Sequence, residues 1–272
     1  MEITEIKGNL VITDVNCFNL DLTLDCGQAF RWRKTTAGRW HGVAFGKVME
    51  ISQNDEGITL WNVTPGEFYA VWRGYFDLDR EYELLCEGFC TDKTLKSAIE
   101  LFPGIRVLRQ EPWETLCSFI ISQNNNIPRI KGVVDRLCTN FGEDLGAGDY
   151  TFPSAEKIFQ LGIDDLAPIR AGFRSKYILD AAQKVASGEV RLAELADKTI
   201  EEARLDLIRI KGVGSKVAEC TLLYGCGQAE AFPVDVWVKR VMEELYPNGL
   251  PECVMGFQGI AQQYLFHWRR QQ

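Results

Sequence analysis

The stretch 199-TIEEARLDLIRIKGVGSKVAECTLLY-224 reads as two helices joined by a very short turn. Thr199 and Glu202 stand in capping-box spacing, so the first helix begins at Ile200 and runs to about Ile210. Lys211-Gly212-Val213-Gly214 follows, and a second helix is predicted from Ser215 to about Tyr224. Two glycines flanking one apolar residue make a tight hairpin, because bare backbone can turn sharply and approach a neighbour closely. The N–H groups at the start of the second helix then point outward and suit an anion such as phosphate, placing Gly212, Val213 and Gly214 as phosphate-binding candidates. The same four residues also make a helix corner with no ligand, and the motif alone leaves both readings open.

Lys216 lies in the first turn of that second helix, beside the positive end of the dipole. That field disfavours a further positive charge and is expected to favour the neutral amine, which is a nucleophile where an ammonium is not. Most lysines are solvated surface residues. Here the neighbours Val217, Ala218, Cys220, Leu222 and Leu223 are apolar, so the helix is expected to be buried with the lysine at its mouth. Cys220, four residues on, shares its face. Further along, Phe232-Pro233-Val234-Asp235-Val236 enters extended, and Asp235 precedes a helical run from Val236 to Tyr246. Asp235 is thus an N-cap candidate, and a capping carboxylate is compatible with a chemical role.

Working outward, the first sixty residues read as antiparallel strands. Asn19 to Asp25 alternates strictly, with Leu20, Leu22 and Leu24 on one face, which predicts a half-buried strand. Phe30–Arg33, Trp40–Val43, Lys47–Ile51 and Ile58–Asn62 follow as short strands separated by turn-forming stretches. The character changes at Thr64-Pro65-Gly66-Glu67, where a capping box with proline at the first helical position predicts a helix. Helices are expected over Trp113–Ile121 and Arg129–Cys138, and after Ser154. The expectation is an α+β chain, with a β-sheet-rich domain over residues 1–98 and a helical domain over 99–272.

With 272 residues, 46% hydrophobic and 25% charged, the chain is an ordinary globular one. No apolar run approaches the ~18 residues of a membrane span. No targeting signal is read, so the cytoplasm or a nucleus is the expected location. Nine cysteines without CxxC spacing and only two histidines, His41 and His267, argue against a zinc site, and most of the cysteines are expected to be buried thiols. The net charge of −8 argues against a nucleic-acid partner, yet a local cluster of donors grips phosphate even on an acidic body. Arg129, Arg174, Lys176, Arg209, Lys211 and Lys216 are the candidates for that cluster.

LIRIKGVGSKVAEC and FPVDVWVKRV resemble the helix-hairpin-helix, Gly/Pro-Asp DNA glycosylase superfamily. CGQAFRW at 26–32, YFDLD at 75–79, RVLRQEPWETLCSFIISQNNNIPRI at 106–130, GFRSKY at 172–177 and AQQYLF at 261–266 extend the likeness along the chain. Within the superfamily the sequence is most similar to the 8-oxoguanine DNA glycosylase/AP lyases. The resemblance implies a sheet domain followed by a helix-hairpin-helix glycosylase domain. It also implies excision of 8-oxoguanine from duplex DNA and strand nicking by β-elimination.

The resemblance implies roles as well. Lys216 would attack the sugar C1′ and form a Schiff base, while Asp235 would assist its deprotonation and stabilise the cationic sugar. Gly27 would present its carbonyl to N7, which carries hydrogen in the lesion and is an acceptor in guanine. Gln262 would read the base edge, and Phe266 and Cys220 would lie against its two faces. Asn124, Arg129 and Arg174 would hold the unpaired cytosine, with Phe173 as the wedge. Taken alone, Phe266 reads as core and Arg129 as a solvated residue.

The chain departs from the family pattern at Trp237, where some members carry histidine, and at Phe173, where tyrosine is familiar. No redox cofactor and no catalytic metal are expected. The resemblance implies a monovalent cation at the hairpin carbonyls as a structural aid and duplex DNA as partner; no membrane partner is expected, and the chain is expected to be a monomer. A glycosylase for another oxidised purine and a non-catalytic DNA-binding hairpin module are the alternatives.

Overall fold

Alternating burial builds the sheet. A computed structural model describes residues 1–271. Strands β1 (Glu2–Ile6), β2 (Asn9–Thr13), β3 (Arg33–Lys34), β4 (Trp40–Ala44), β5 (Lys47–Asn54) and β6 (Gly57–Trp61) form a six-stranded sheet in the order β1-β2-β6-β5-β4-β3. Leu10 pairs with Leu60, Ile12 with Ile58, and Ile51 with Leu60 across antiparallel ladders. All five side chains are at most 2% exposed, so one face of the sheet is core. Burial of such a side chain contributes about 1.5–3 kcal/mol. A two-stranded ribbon, β7 (Asp144–Gly146) with β8 (Asp149–Tyr150), lies outside this sheet.

One expected strand is a helix. Leu20–Asp25 forms α1, with Asn19 as its N-cap. Strict alternation of leucines suggested a strand, but the buried residues are Leu20, Thr23 and Leu24, spaced i, i+3, i+4. The Asn19 side chain accepts the Leu22 N–H at 2.9 Å, and the Asn19 N–H is itself taken by the Gly104 carbonyl at 2.7 Å. Local capping by asparagine outweighs a six-residue alternation pattern. Of the expected strand Phe30–Arg33, only Arg33 enters β3, while Phe30 and Trp32 are buried core residues.

The remaining helices are α2 (Pro65–Glu67), α3 (Arg73–Tyr75), α4 (Tyr82–Phe89), α5 (Lys93–Leu101), α6 (Pro112–Ser122), α7 (Ile127–Phe141), α8 (Ala155–Phe159), α9 (Arg174–Ala186), α10 (Ile200–Ile208), α11 (Ser215–Cys220), α12 (Val236–Leu245) and α13 (Gln258–Arg270). Thr64 caps α2 through the Glu67 N–H, and a wide π turn over Phe68–Trp72 joins α2 to α3. The Glu67 carboxylate accepts from the Trp72 indole at 2.9 Å. Ser154 caps α8, and Thr199 with Glu202 closes a full capping box on α10.

Backbone contacts divide the chain into two compact units that are not sequential. One comprises 1–41, 49–109 and 229–272; the other comprises 42–48 and 110–228. The expected boundary at 98/99 falls inside α5 (Lys93–Leu101), and the change from strands to helices comes earlier, after β6.

In the first unit α13 packs on α5 and α12, and the rings of Trp32, Trp72, Tyr75 and Phe76 form an aromatic cluster. Arg106 is buried there and donates to the carbonyls of Asn16, Cys17 and Asp77. In the second unit α6 packs against α7, α9 and α11. Cys26, Cys86, Cys117, Cys138 and Cys220 are buried, and burial pushes the Cys26 thiol up to about 12.

Candidate active site

The hairpin takes the form its glycines require. Gly212 has φ +82°, and a Cβ there would run into the Tyr177 ring. Gly214 is the N-cap of α11, and as a glycine it brings no side chain to cap the first N–H groups. Val213 is buried at 5% exposure, and its N–H is taken by the Ile210 carbonyl. The Lys211 N–H donates to the Asp180 carboxylate at 2.6 Å, fixing the hairpin to α9.

Lys216 is half-buried in the first turn of α11. Its Nζ donates to Ser122 Oγ at 3.2 Å and stands 4.7 Å from the centre of the Phe119 ring. Cys220, one turn further, is 2% exposed. Beyond it the helix widens into a π turn over Thr221–Gly225, a form frequent near functional sites.

The α6–α7 connection carries the residues expected at the opposite base. Asn124 is exposed and left-handed, with φ +48°. Arg129 is exposed in the first turn of α7, whose N-cap Asn126 accepts its N–H. Phe173 is 52% exposed, at the N-cap of α9. Its ring meets the Tyr177 ring edge-on at 5.8 Å and lies 4.5 Å from the Arg174 guanidinium.

Arg174 itself is 3% exposed and turned inward. It donates to the carbonyls of Gln123, Asn124 and Ala171. Burial first, and the Arg129 charge second, hold its guanidinium below the usual range. The hairpin, Lys216 and this connection all belong to the unit containing 110–228.

The first unit holds Gly27, Asp235, Gln262 and Phe266. Gly27 has φ +86°. The turn is fixed by Gln28, which is 1% exposed; its amide donates to the carbonyls of Thr23 and Arg106 and accepts the Leu108 N–H. From α13, Gln263 donates to the carbonyl of Cys26, the residue before Gly27. Gln262 and the half-buried Phe266 thus stand on a helix anchored to the Gly27 turn. Gln262 is 3% exposed, and its Oε1 has no partner among the described residues. A buried unsatisfied oxygen costs about 1–3 kcal/mol and marks a place for a donor. Asp235 caps α12 as expected: its Oδ1 accepts the N–H groups of Trp237 at 2.9 Å and Val238 at 2.8 Å.

Ser122, Phe119, Gln28, Gln263 and Tyr177 were not read as functional from sequence. Gln28 and Gln263 lie within CGQAFRW and AQQYLF, two of the stretches that carry the likeness. Of the six expected phosphate-binding cations, Arg209 is paired with Glu189 at 3.0 Å and with Asp206 at 3.7 Å. Arg129, Lys176 and Lys211 are exposed with no carboxylate partner among the described residues. No group of three or more metal-ligating side chains occurs among the described residues, and no described helix is long and apolar enough to cross a membrane.

A glycine-turned helical hairpin with a lysine at the mouth of its second helix, in a chain that begins with an antiparallel sheet, defines a helix-hairpin-helix base-excision protein. Residues 117–250 match the HhH-GPD superfamily base excision DNA repair proteins, and residues 10–116 match the N-terminal domain of 8-oxoguanine DNA glycosylase. The N-glycosylase/DNA lyase of Saccharomyces cerevisiae is 32% identical over 252 residues, covering 82% of this chain and 67% of that protein. The chain thus spans about two thirds of that relative's length.

Two solved structures cover nearly everything. Clostridium acetobutylicum 8-oxoguanine glycosylase/lyase, in complex with duplex DNA containing cytosine opposite 8-oxoguanine, is 36% identical with a TM-score of 0.93, covering 100% of this chain and 98% of that one. MBOgg1 with a low-affinity DNA ligand is 41% identical with a TM-score of 0.93, covering 99% and 98%. The chain belongs to the 8-oxoguanine DNA glycosylase family.

Proposed function

We propose that this chain excises 8-oxoguanine from duplex DNA, opposite cytosine, and then cleaves the strand as a lyase. The observation that supports it most is the setting of Lys216, at the mouth of α11 beside the glycine hairpin, in a chain alike over its whole length to the Clostridium glycosylase/lyase. The lesion must leave the base stack to be reached.

The Lys216 amine attacks C1′, the glycosidic bond breaks, and its electron pair leaves on the base, which is protonated. Asp235 takes the amine proton and offsets the developing positive charge. Its Oδ1 is committed to the α12 cap, and Oδ2 is the oxygen left for this work. Ring opening gives the Schiff base. Loss of a C2′ proton then expels the 3′ phosphate by β-elimination.

Gln262 Oε1, lacking a donor, takes an N–H of the flipped base, and Phe266 stacks on its plane. Cys220 lies on the other face, and the Gly27 carbonyl accepts the N7 hydrogen that guanine lacks. Asn124 and Arg129 meet the unpaired cytosine, with Phe173 as wedge. Arg174 acts on it through the turn it holds. The amides of Gly212 and Gly214 take a DNA phosphate, while Val213, whose N–H is given to the Ile210 carbonyl, shapes the turn between them. A monovalent cation at the hairpin carbonyls would have to share the Arg209 oxygen with the Lys184 ammonium, which already donates to it.

Borohydride reduction during reaction with a lesion duplex tests the reading. A covalent protein–DNA adduct is expected from the unaltered chain and none from Lys216→Gln. An adduct that persists in Lys216→Gln removes lysine 216 as the nucleophile.

A further inference from the structure

We infer that Ser122 and Phe119 are positioning residues that aim the Lys216 amine. The inference rests on Lys216 being the nucleophile and concerns what holds it.

The two residues stand three apart on α6 and face the same amine, as that spacing allows. The Ser122 hydroxyl hydrogen is committed to the Phe119 carbonyl at 2.8 Å. Its remaining capacity toward Lys216 is therefore that of an acceptor, and the 3.2 Å contact is a lysine N–H donated to Ser122 Oγ. The Phe119 ring offers its electron-rich face to the same nitrogen from 4.7 Å. That ring is fixed in turn, stacked on Tyr224 at 5.3 Å and 16°.

A neutral amine has two N–H bonds and one lone pair. With one N–H directed at Ser122 and another at the Phe119 face, the lone pair is left pointing away from α6. An amine on a flexible four-carbon stem has no such direction of its own. Neither contact is made to DNA, so both leave binding to other residues.

Single-turnover trapping by borohydride on a duplex with a preformed abasic site isolates the lysine step from base recognition. Ser122→Ala is expected to slow trapping about tenfold to a hundredfold while DNA affinity stays unchanged. Ser122→Thr, which keeps the hydroxyl, is expected to restore the rate to within about twofold, and Phe119→Leu to slow trapping with affinity kept. Trapping by Ser122→Ala at the unaltered rate overturns the inference. So does a loss in Ser122→Ala that falls equally on affinity and rate and is not restored by threonine. Either result leaves the nucleophile assignment standing. A persistent adduct in Lys216→Gln removes that assignment and this inference with it.

Discussion

The Arg174 guanidinium donates to the backbone carbonyl of Asn124 at 2.9 Å, and Asn124 is a non-glycine residue held at φ +48°. A second carbonyl of the same turn, Gln123, is taken by the same side chain at 2.9 Å. The arginine matched by likeness to an opposite-base reader is thus also the clasp of the turn that presents Asn124. Hydrogen bonds to a charged group contribute about 1.5–3 kcal/mol each, so Arg174→Ala is expected to cost about 2–3 kcal/mol. Arg174→Lys keeps the charge, loses the planar fork, and is expected to cost about 1–2 kcal/mol. Urea unfolding measures both. Excision by Arg174→Lys is expected to fall in equal proportion opposite all four bases, whereas Arg129→Ala loses cytosine preference. A cytosine-only loss in Arg174→Lys would place that side chain on the base and not on the turn.

Asp235 carries two duties that substitution separates. Asparagine caps a helix as well as aspartate does, so Asp235→Asn is expected to keep stability within about 0.5 kcal/mol. It removes the negative charge, and excision is expected to fall at least a hundredfold, on the order of losing one preorganised electrostatic group. Asp235→Ala is expected to lose the same activity and about 1 kcal/mol of stability besides. Thermal unfolding alongside single-turnover rates reads both. An Asp235→Asn enzyme of near-normal rate would make the residue a cap and nothing more.

How much of this was legible depends on the range of the interaction. The hairpin, the Asp235 cap and the Thr199 box were readable because each is decided within a few residues by glycine, capping side chains and helix register. Asn19–Asp25 misled because leucine alternation and helical i, i+3, i+4 burial coincide over so short a span, and the deciding partner, Gly104, is distant in sequence. The inward turn of Arg174 was unreadable for the same reason: its acceptors at Gln123 and Asn124 lie some fifty residues away. Ser122 and Phe119 lie in the stretch 106–130 that carries the likeness, but nothing local to them names a role. They become informative only when α6 brings them against Lys216, 94 residues on from Ser122.

The acidic net charge and a DNA partner are reconciled by few contacts. Arg129, Lys176 and Lys211 are exposed without carboxylate partners among the described residues, whereas Arg209 is neutralised by Glu189 and Asp206. With about three phosphates neutralised, the logarithm of affinity is expected to fall against the logarithm of salt with a slope of about −3. Lys211→Gln is expected to reduce that slope to about −2 and Arg209→Gln to leave it unchanged. Anisotropy titrations across a salt series give the slopes. A slope that steepens well past these values, or an equal loss in Arg209→Gln, would mean that paired cations are released to DNA.

His267 stands on α13, the helix that carries Gln262 and Phe266, and is 6% exposed. Its Nδ1 has no partner among the described residues, and the Phe102 ring meets it edge-on at 4.5 Å. Burial, then the charge of Arg270, lowers its pKa below the ordinary histidine value of about 6.5, against a smaller opposing pull from Asp25. A histidine with a lowered folded pKa gives stability that is complete above the unfolded value. That stability is lost as pH falls from about 6.5 through the folded value, because the unfolded chain takes up the proton first. The slope from this one group is at most about 1.4 kcal/mol per pH unit. Urea unfolding at pH 8, 6.5 and 5 is expected to show the unaltered chain losing stability across the lower interval faster than His267→Gln, with parallel behaviour above 6.5. Parallel loss down to pH 5 would mean that His267 is protonated in the folded helix without cost, and that the burial of its ring does not decide its charge.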